Sequence, residues 1–442
     1  MSRPPAERLL SAPIVPILLR LSAPGVLLVA FQSMVSVGDT YFVGRLGTAP
    51  LAGLALVFPL LMLLQMTSAG AMGGGVSSAI ARALGAGEPA AARRLVVHAL
   101  VIAAAMGVAF TVLILLLGTT IYSLLGGADE SLRSALAYSN VVFAGAIVVW
   151  IANTLSAVLR GTGNMMMPAL GLIGAAVVHL PLSAALVLGL GPMPKLGIAG
   201  AGVAYVTTFT IAALAMALAV FGASSPLRPR SGDFRLEAKL FRDILRVGGV
   251  SVLSSFQTVL TAVILTGFVG RYGTAALAGY GVGLRLELLQ IPLVFAVGQA
   301  LVVLVGTHIG AGRAERAKRI AWIGAGLAAS ISLAIGATVA IVPQAWVTLF
   351  SADPAVLDSG ARYLRTVAPL YPFLAAGMAL YFASQGAGRV ILPVLSGTAR
   401  LAIVIVGGAL ATSLQGIFAV IAAGLAVFGA ATIWIVMRTS WK

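Results

Sequence analysis

Long apolar runs dominate the chain, and short polar turns break them. A membrane-crossing helix takes about 20 predominantly apolar residues. Runs of that kind predict helices over residues 14–40, 49–72, 94–118, 132–158, 167–190 and 197–222. A second set follows over 246–270, 275–304, 319–343, 362–384, 391–412 and 415–437. Several runs hold Gly or Pro, which spanning helices tolerate when neighbours satisfy the freed backbone groups. The longest polar stretch, 223–245, carries Pro226, Pro229, Gly232 and alternating charges. It reads as a linker that ends in a short amphipathic helix at the membrane surface. The expected fold is therefore an all-α polytopic membrane protein of about twelve spans. Its expected parts are an N-lobe over 1–222, a cytoplasmic linker over 223–245 and a C-lobe over 246–442.

The two sets repeat each other. Phe42-Val43-Gly44-Arg45-Leu46-Gly47-Thr48-Ala49 returns as Phe268-Val269-Gly270-Arg271-Tyr272-Gly273-Thr274-Ala275. Leu51-Ala52-Gly53 returns as Leu277-Ala278-Gly279, and Gly85-Ala86-Gly87 as Gly310-Ala311-Gly312. Gly161, Gly163 and Pro168 return as Gly386, Gly388 and Pro393. Six spans per repeat is an even number, so both halves share one orientation. That predicts a pseudo-two-fold axis along the membrane normal and a substrate cavity between the lobes, the parallel-repeat layout of alternating-access transporters.

Composition supports lipid as the solvent. Of 442 residues, 60% are hydrophobic and 9% charged, against roughly 25% charged in soluble domains. The net charge of +16 sits in short basic clusters between apolar runs, suited to anionic headgroups; no basic stretch is interleaved with aromatics, so nucleic acid is not an expected partner. With the N-terminus inside, Arg82, Arg93, Arg94, Arg160 and the linker's basic residues fall in inside loops, as do Arg313, Arg316, Lys318, Arg319 and Arg389. Only Arg45, Arg133, Lys195, Arg271, Arg362 and Arg365 fall outside. That bias, about threefold, places both termini in the cytoplasm and the chain in a bacterial or archaeal inner membrane. The basic, then apolar start has no clear small-residue cleavage site and is expected to be retained. There is no cysteine, which excludes thiol chemistry.

The motifs together resemble those of multidrug and toxic compound extrusion (MATE) transporters. Gly38-Asp39-Thr40 ahead of the FVGRLGTAPLAGLAL run resembles the family's first-helix signature. Gly281-Val282-Gly283-Leu284-Arg285-Leu286-Glu287 resembles an element of its DinF-like branch. The Arg160-Gly161-Thr162-Gly163-Asn164 turn and Asp353-Pro354 ahead of Tyr363-Leu364-Arg365 also fit. The resemblance implies export of amphipathic, often cationic, small molecules in exchange for protons or sodium ions.

Only Asp39 and Glu287 among the twelve acids fall inside apolar segments. An acid in hydrocarbon is expensive and commonly functional. Asp39 has no acidic counterpart in the second half, where Leu265 stands, so the repeat skeleton does not require it. The plain alternative is a carboxylate pinned by a hydroxyl or amide for packing. Glu287 lies two residues from Arg285, and residues two apart on a helix do not face each other, so each needs another partner. Arg400 is the other intramembrane charge available to Glu287. The resemblance adds Asn153 and Ser156 in the fourth span. It also places His179 and Ser183 where the family often has Asn and Asp, which weakens a two-carboxylate sodium site. Gln257 stands where one branch has a glutamate. The ion-coupling candidates are thus Asp39, His179 and Glu287. The cavity candidates are Gln32, Ser36, Asn153, Ser156, Ser183, Gln257 and Arg400.

No catalytic constellation, metal cluster or ATP-hydrolysing motif is visible, so neither an enzyme nor a cofactor is expected. The expected function is proton-coupled antiport, with sodium as the alternative ion. A lipid-linked precursor flippase is the alternative of another class; it would favour several cavity cations, and here Arg285 and Arg400 stand against two acids. A two-lobe layout works as a monomer.

Overall fold

A computed structural model describes residues 5–223 and 225–441; residues 1–4, Ser224 and Lys442 lie outside it. The described chain is helical, without strands. In chain order the helices are α1 (Pro5–Ser11), α2 (Ile14–Gly44), α3 (Thr48–Gln65), α4 (Gly73–Gly85), α5 (Pro89–Leu124), α6 (Asp129–Ala144), α7 (Ala146–Gly161), α8 (Met166–Leu188) and α9 (Ile198–Phe221). Then come α10 (Ala238–Gly270), α11 (Thr274–Gly310), α12 (Ala314–Ile341), α13 (Gln344–Val347), α14 (Pro354–Val367), α15 (Tyr371–Gly386), α16 (Ile391–Leu410) and α17 (Leu414–Arg438). Eleven stretches among the described residues are long and apolar enough to cross a membrane, and α6 with α7, bent by 51°, makes a twelfth.

The expected spans are all present, with two differences. First, several helices run past their apolar cores. The expected 49–72 is part of one 38-residue span, Thr48–Gly85, because the small residues of α4 are buried among neighbouring helices and need no lipid-facing side chains. Second, the amphipathic end of the linker is not a separate helix. It forms the first turns of α10, which runs unbroken from Ala238 to Gly270 because no proline interrupts its hydrogen-bond ladder.

The chain divides into two compact units. One is Ala23–Gly248; the other joins the chain up to Ser22 to the residues from Gly249 onward. Each unit packs its helices in the same scheme. In the first, α3 packs on α6, α4 and α5 on α7, and α7 and α8 on α9. In the second, α11 packs on α14 and α15, α12 on α15, and α15 and α16 on α17.

The repeated motifs are the contacts that this scheme requires. Gly47 and Gly273 adopt φ of +124° and +97°, Gly87 and Gly312 +76° and +70°, and Gly163 and Gly388 +86° and +72°. Each pair turns the chain at equivalent places in the two units, with backbone angles that favour glycine. Gly53 and Gly279 serve packing instead. A Cβ on Gly53 would lie 2.8 Å from the Ala135 nitrogen, and one on Gly279 2.6 Å from the Gly360 nitrogen. The Leu-Ala-Gly repeat thus marks a close approach of the second span to the fourth in each unit.

The linker and the start of α10 are clamped to the first unit. Arg82 pairs with Asp243 at 2.7 Å, Arg93 with Asp233 at 3.0 Å, and Arg94 with Glu237. His98, fully buried, accepts the Glu237 amide N–H on Nε2 at 2.8 Å and packs edge-on against Phe241. Gly248 closes the contact: a Cβ on Gly75 would sit 2.7 Å from its nitrogen. Burial pushes the Asp233 carboxyl up, but the Arg230 amide, the Arg93 bond and the charges of Arg93 and Arg94 outweigh it and hold the group below its usual range. A carboxyl lowered in the folded state contributes stability above its unfolded pKa and loses it as pH falls through the folded value. Hydrogen exchange of residues 225–237, corrected for intrinsic rates, should therefore stay flat from neutral pH down to about pH 4 and rise only below it. Asp233→Asn should raise that exchange roughly tenfold at neutral pH. Unchanged exchange in the variant would show that the clamp does not hold the linker.

Candidate functional site

Asp39 sits near the end of α2 and is 8% exposed. Position 38 before it is glycine, and a Cβ there would meet the Leu180 side chain at 2.4 Å, so α2 and α8 approach closely beside the carboxylate. That approach brings two α8 side chains onto Asp39. His179 Nε2 lies 3.0 and 2.9 Å from its two oxygens, and the Ser183 hydroxyl donates to Oδ1 at 2.6 Å. His179 and Ser183 are four residues apart on α8 and therefore share a face. They are 1% and 0% exposed. The other ring nitrogen of His179, Nδ1, is 2.8 Å from the Thr208 Oγ1 on α9. The Thr208 hydroxyl in turn donates to the Ala204 carbonyl at 2.7 Å. Three of the predicted residues thus form one cluster, and Thr208 extends it to a third helix.

Asn153 belongs to a second polar group of the same unit. Its Nδ2 donates to Gln65 Oε1 at 3.1 Å and to Ser68 Oγ at 2.8 Å, and Gln65 Nε2 donates to the Tyr205 hydroxyl at 2.6 Å. This group surrounds a π-helical turn, Met66–Met72, that joins α3 to α4. Such a turn shifts the hydrogen-bond ladder and frees carbonyls inside the span. Thr67 and Ser68 bond back to the Leu63 and Leu64 carbonyls. The Arg160 guanidinium reaches the Ala69 carbonyl at 3.5 Å and donates to Ser156 Oγ at 2.6 Å. Ser156 is therefore fully buried as the acceptor that steadies Arg160. Arg160 itself is not in an inside loop, as an apolar run ending at 158 predicts, but in the last turn of α7 with its head against this turn.

Glu287 is buried on α11 in the other unit. It accepts a hydrogen bond from the Tyr363 hydroxyl at 3.1 Å and faces Arg400 at 3.9 Å. Arg285 instead lies over the Phe350 ring, 5.1 Å from its centroid. The two-residue spacing separates the charges as helix geometry requires. Gln257 is buried and donates to Thr398 at 2.7 Å; its Oε1 lies where a Cβ on Gly397 would be only 2.5 Å away. Gln32 and Ser36 are exposed along α2 and are not in the Asp39 cluster. A surface cavity of about 310 Å³ in the second unit is lined by Glu315, Lys318, Arg438 and Trp441 among others, and by none of the predicted site residues.

Sequence reasoning missed Thr208, Gln65, Tyr205 and the role of Tyr363. For Thr208 the available signal was the polar pair Thr207-Thr208 inside an apolar span; for Gln65 it was an amide at the same kind of position.

Comparison with known proteins places this geometry. The chain is 26% identical over 376 residues to a protein named FAD transporter from Shewanella oneidensis, covering 85% of this chain and 82% of the relative. It is 25% identical to a probable multidrug resistance protein NorM from Thermotoga maritima, covering 86% and 81%. It is 22% identical to the multidrug export protein MepA of Staphylococcus aureus, covering 90% and 88%. Among solved structures, a MATE protein in a bent conformation superposes with a TM-score of 0.90 at 24% identity, covering 99% and 98%. An outward-facing MATE family multidrug resistance transporter superposes with a TM-score of 0.87 at 24% identity, covering 98% and 97%. The MatE family pattern matches residues 24–185 and 251–410, one stretch in each compact unit, and the chain belongs to this family of membrane transporters.

Proposed function

We propose that the protein is a proton-coupled exporter of small molecules and that the Asp39–His179 pair carries the coupling proton. One observation carries this reading. The Thr208 hydroxyl has a single proton, and its bond to the Ala204 carbonyl uses it. The hydroxyl oxygen is then an acceptor, so His179 Nδ1 carries a hydrogen and donates. Ser183 occupies Asp39 Oδ1 as a donor. Between His179 Nε2 and the carboxylate there remains a place for one proton, which lies either on the imidazole or on Oδ2. Losing that proton would leave a carboxylate facing a ring-nitrogen lone pair, two acceptors about 3 Å apart. That arrangement repels, so deprotonation favours a different packing of α2 against α8. A ligand-driven shift between two packings is what alternating access requires.

The same geometry argues for protons over sodium. Sodium is a hard cation that prefers oxygen ligands. Here an imidazole nitrogen faces both carboxylate oxygens, and a sodium ion would have to displace it. Glu287 is the second coupling candidate, since it is the other buried intramembrane acid, but Arg400 and Tyr363 already offset its charge. For substrates, the relatives named as multidrug proteins support small molecules of varied structure, and the motif resemblance implies amphipathic cations among them. The relative named as a FAD transporter adds an anionic flavin dinucleotide to the compounds worth testing.

The decisive experiment uses purified protein in liposomes with an imposed proton gradient, with and without sodium, following efflux of a cationic dye and of FAD. Proton-driven efflux should be sodium-independent and fall at least a hundredfold in Asp39→Asn, which cannot carry the proton. Sodium-driven efflux would overturn the choice of ion. Full activity in the variant would remove Asp39 from coupling and leave Glu287. Transport of a labelled lipid with no movement of dye or FAD would favour the flippase reading. Separately, Ser183→Ala removes a hydrogen bond to a charged acceptor. It should cost about 1.5–3 kcal/mol of stability, read as a lowered Tm at neutral pH, with Ser183→Thr restoring most of it. No change in Tm would mean that the hydroxyl does not hold the carboxylate.

A further inference from the structure

The linker carries three acids, and each is already used. Asp233, Glu237 and Asp243 pair with Arg93, Arg94 and Arg82 of the first unit. The basic residues of the same stretch are not used in this way. Arg228, Arg230, Arg235, Lys239, Arg242 and Arg246 are all exposed, and none forms an ion pair among the described residues. A segment with twice as many basic as acidic residues therefore presents an almost purely cationic surface once folded.

On α10 this surface is ordered. Lys239, Arg242 and Arg246 follow an i, i+3, i+7 spacing and form one stripe. Phe241 and Ile244 lie on the other side, against His98 and in the core. Exposed apolar side chains flank the stripe: Phe234 at 61%, Leu236 at 55% and Leu245 at 41%.

Depth along the helix identifies the partner. The 33 residues of α10 make a rod about 50 Å long at 1.5 Å per residue. The hydrocarbon core takes up about 30 Å of that. The charge-free part of α10, from Val247 onward, is long enough to cross it. The stripe therefore lies at the level of the phosphates, with apolar side chains beside it that can enter the acyl boundary. A soluble polyanion would meet the charges but has no use for the apolar flank. We propose that residues 228–246 form a docking surface for anionic phospholipid headgroups, centred on Lys239, Arg242 and Arg246. The clamp to α4 and α5 holds this surface rigid, so lipid binding is paid no ordering cost in the linker.

The test uses the full-length protein in detergent, titrated with phosphatidylglycerol or phosphatidylcholine and read by native mass spectrometry and by the shift in Tm. Phosphatidylglycerol should bind preferentially, and the preference should fall with added salt. Each of Lys239→Gln, Arg242→Gln and Arg246→Gln should weaken it about fivefold. The three changes are also combined in a triple stripe variant, and a control triple variant, Arg45→Gln with Lys195→Gln and Arg271→Gln, removes the same charge elsewhere and should leave the preference unchanged. If the control loses as much as the triple stripe variant, net charge alone explains binding and the proposal fails. Equal binding of the two lipids also overturns it. So does competition by inorganic phosphate at matched concentration, which would make the site a free-anion site. The single variants keep the test readable should the triple stripe variant not fold.

Discussion

A bilayer interior offers no hydrogen bonds, so every backbone group there must find its partner within the protein. That constraint organises this chain. It makes the described spans helical, drives the turns to the ends of the helices, and places glycines with positive φ at those turns. It also explains what surrounds the π-helical interruption of α3 and α4. Where Met66–Met72 frees carbonyls in mid-span, hydroxyls of Thr67 and Ser68 and the Arg160 guanidinium converge on the gap. A group of polar side chains deep in a span thus begins as repair of the backbone. Once there, Asn153, Gln65 and Tyr205 provide donors and acceptors that an apolar span would lack.

The two units share a skeleton and not a chemistry. Their equivalent glycines close equivalent helix contacts, and those positions are set by geometry that any copy of the fold must satisfy. The buried acids follow no such rule. Asp39 is on the first span of one unit, where its counterpart is the core residue Leu265. Glu287 is on the second span of the other. Each acid has a different compensation: an imidazole and a hydroxyl for Asp39, a tyrosine and a distant guanidinium for Glu287. Asp39 sits against a partner that can hold or release a proton, whereas Arg400 cannot release one in a protein. Duplication supplied the frame, and the asymmetry within it is what the proposed coupling rests on.

Much of this was legible in sequence, and the physical reasons differ by feature. Spans were legible because lipid demands long apolar runs. The motif repeat was legible because close contacts and turns tolerate few residue types. The 51° bend between α6 and α7 was not, since the run stays apolar through it. The bend falls at Gly145, where a Cβ would strike Val206 at 2.5 Å, and a packing contact of that kind leaves no mark on hydropathy. Asp39 stood out because an acid in an apolar segment is expensive, whereas His179 and Ser183 stood out only through the resemblance to the family's fifth span. Thr208 did not, because hydroxyls in spans usually bond their own helix, as Thr210 and Thr258 do. Only the meeting of α8 and α9 shows which hydroxyl also receives a neighbour's N–H. Arg160 was misplaced for a related reason: a basic residue beside a Gly-rich turn reads as a loop residue until its long side chain is seen folding back along the helix.

The helix that carries Asp39 does not lie wholly within one compact unit. The helix begins at Ile14 in one compact unit and carries Asp39 in the other, passing between them at Ser22 and Ala23. Pro24 follows immediately, and its missing N–H leaves the Arg20 carbonyl without a helical donor. The helix is therefore weakest just where it changes allegiance. α10 repeats the arrangement in reverse, with its first turns clamped to one unit and the remainder in the other, and two adjacent glycines, Gly248 and Gly249, mark its crossing. Both crossings occur at equivalent positions of the repeat. On the proposed function, a proton shared by Asp39 and His179 would act on a helix whose chain continues unbroken into the opposite unit.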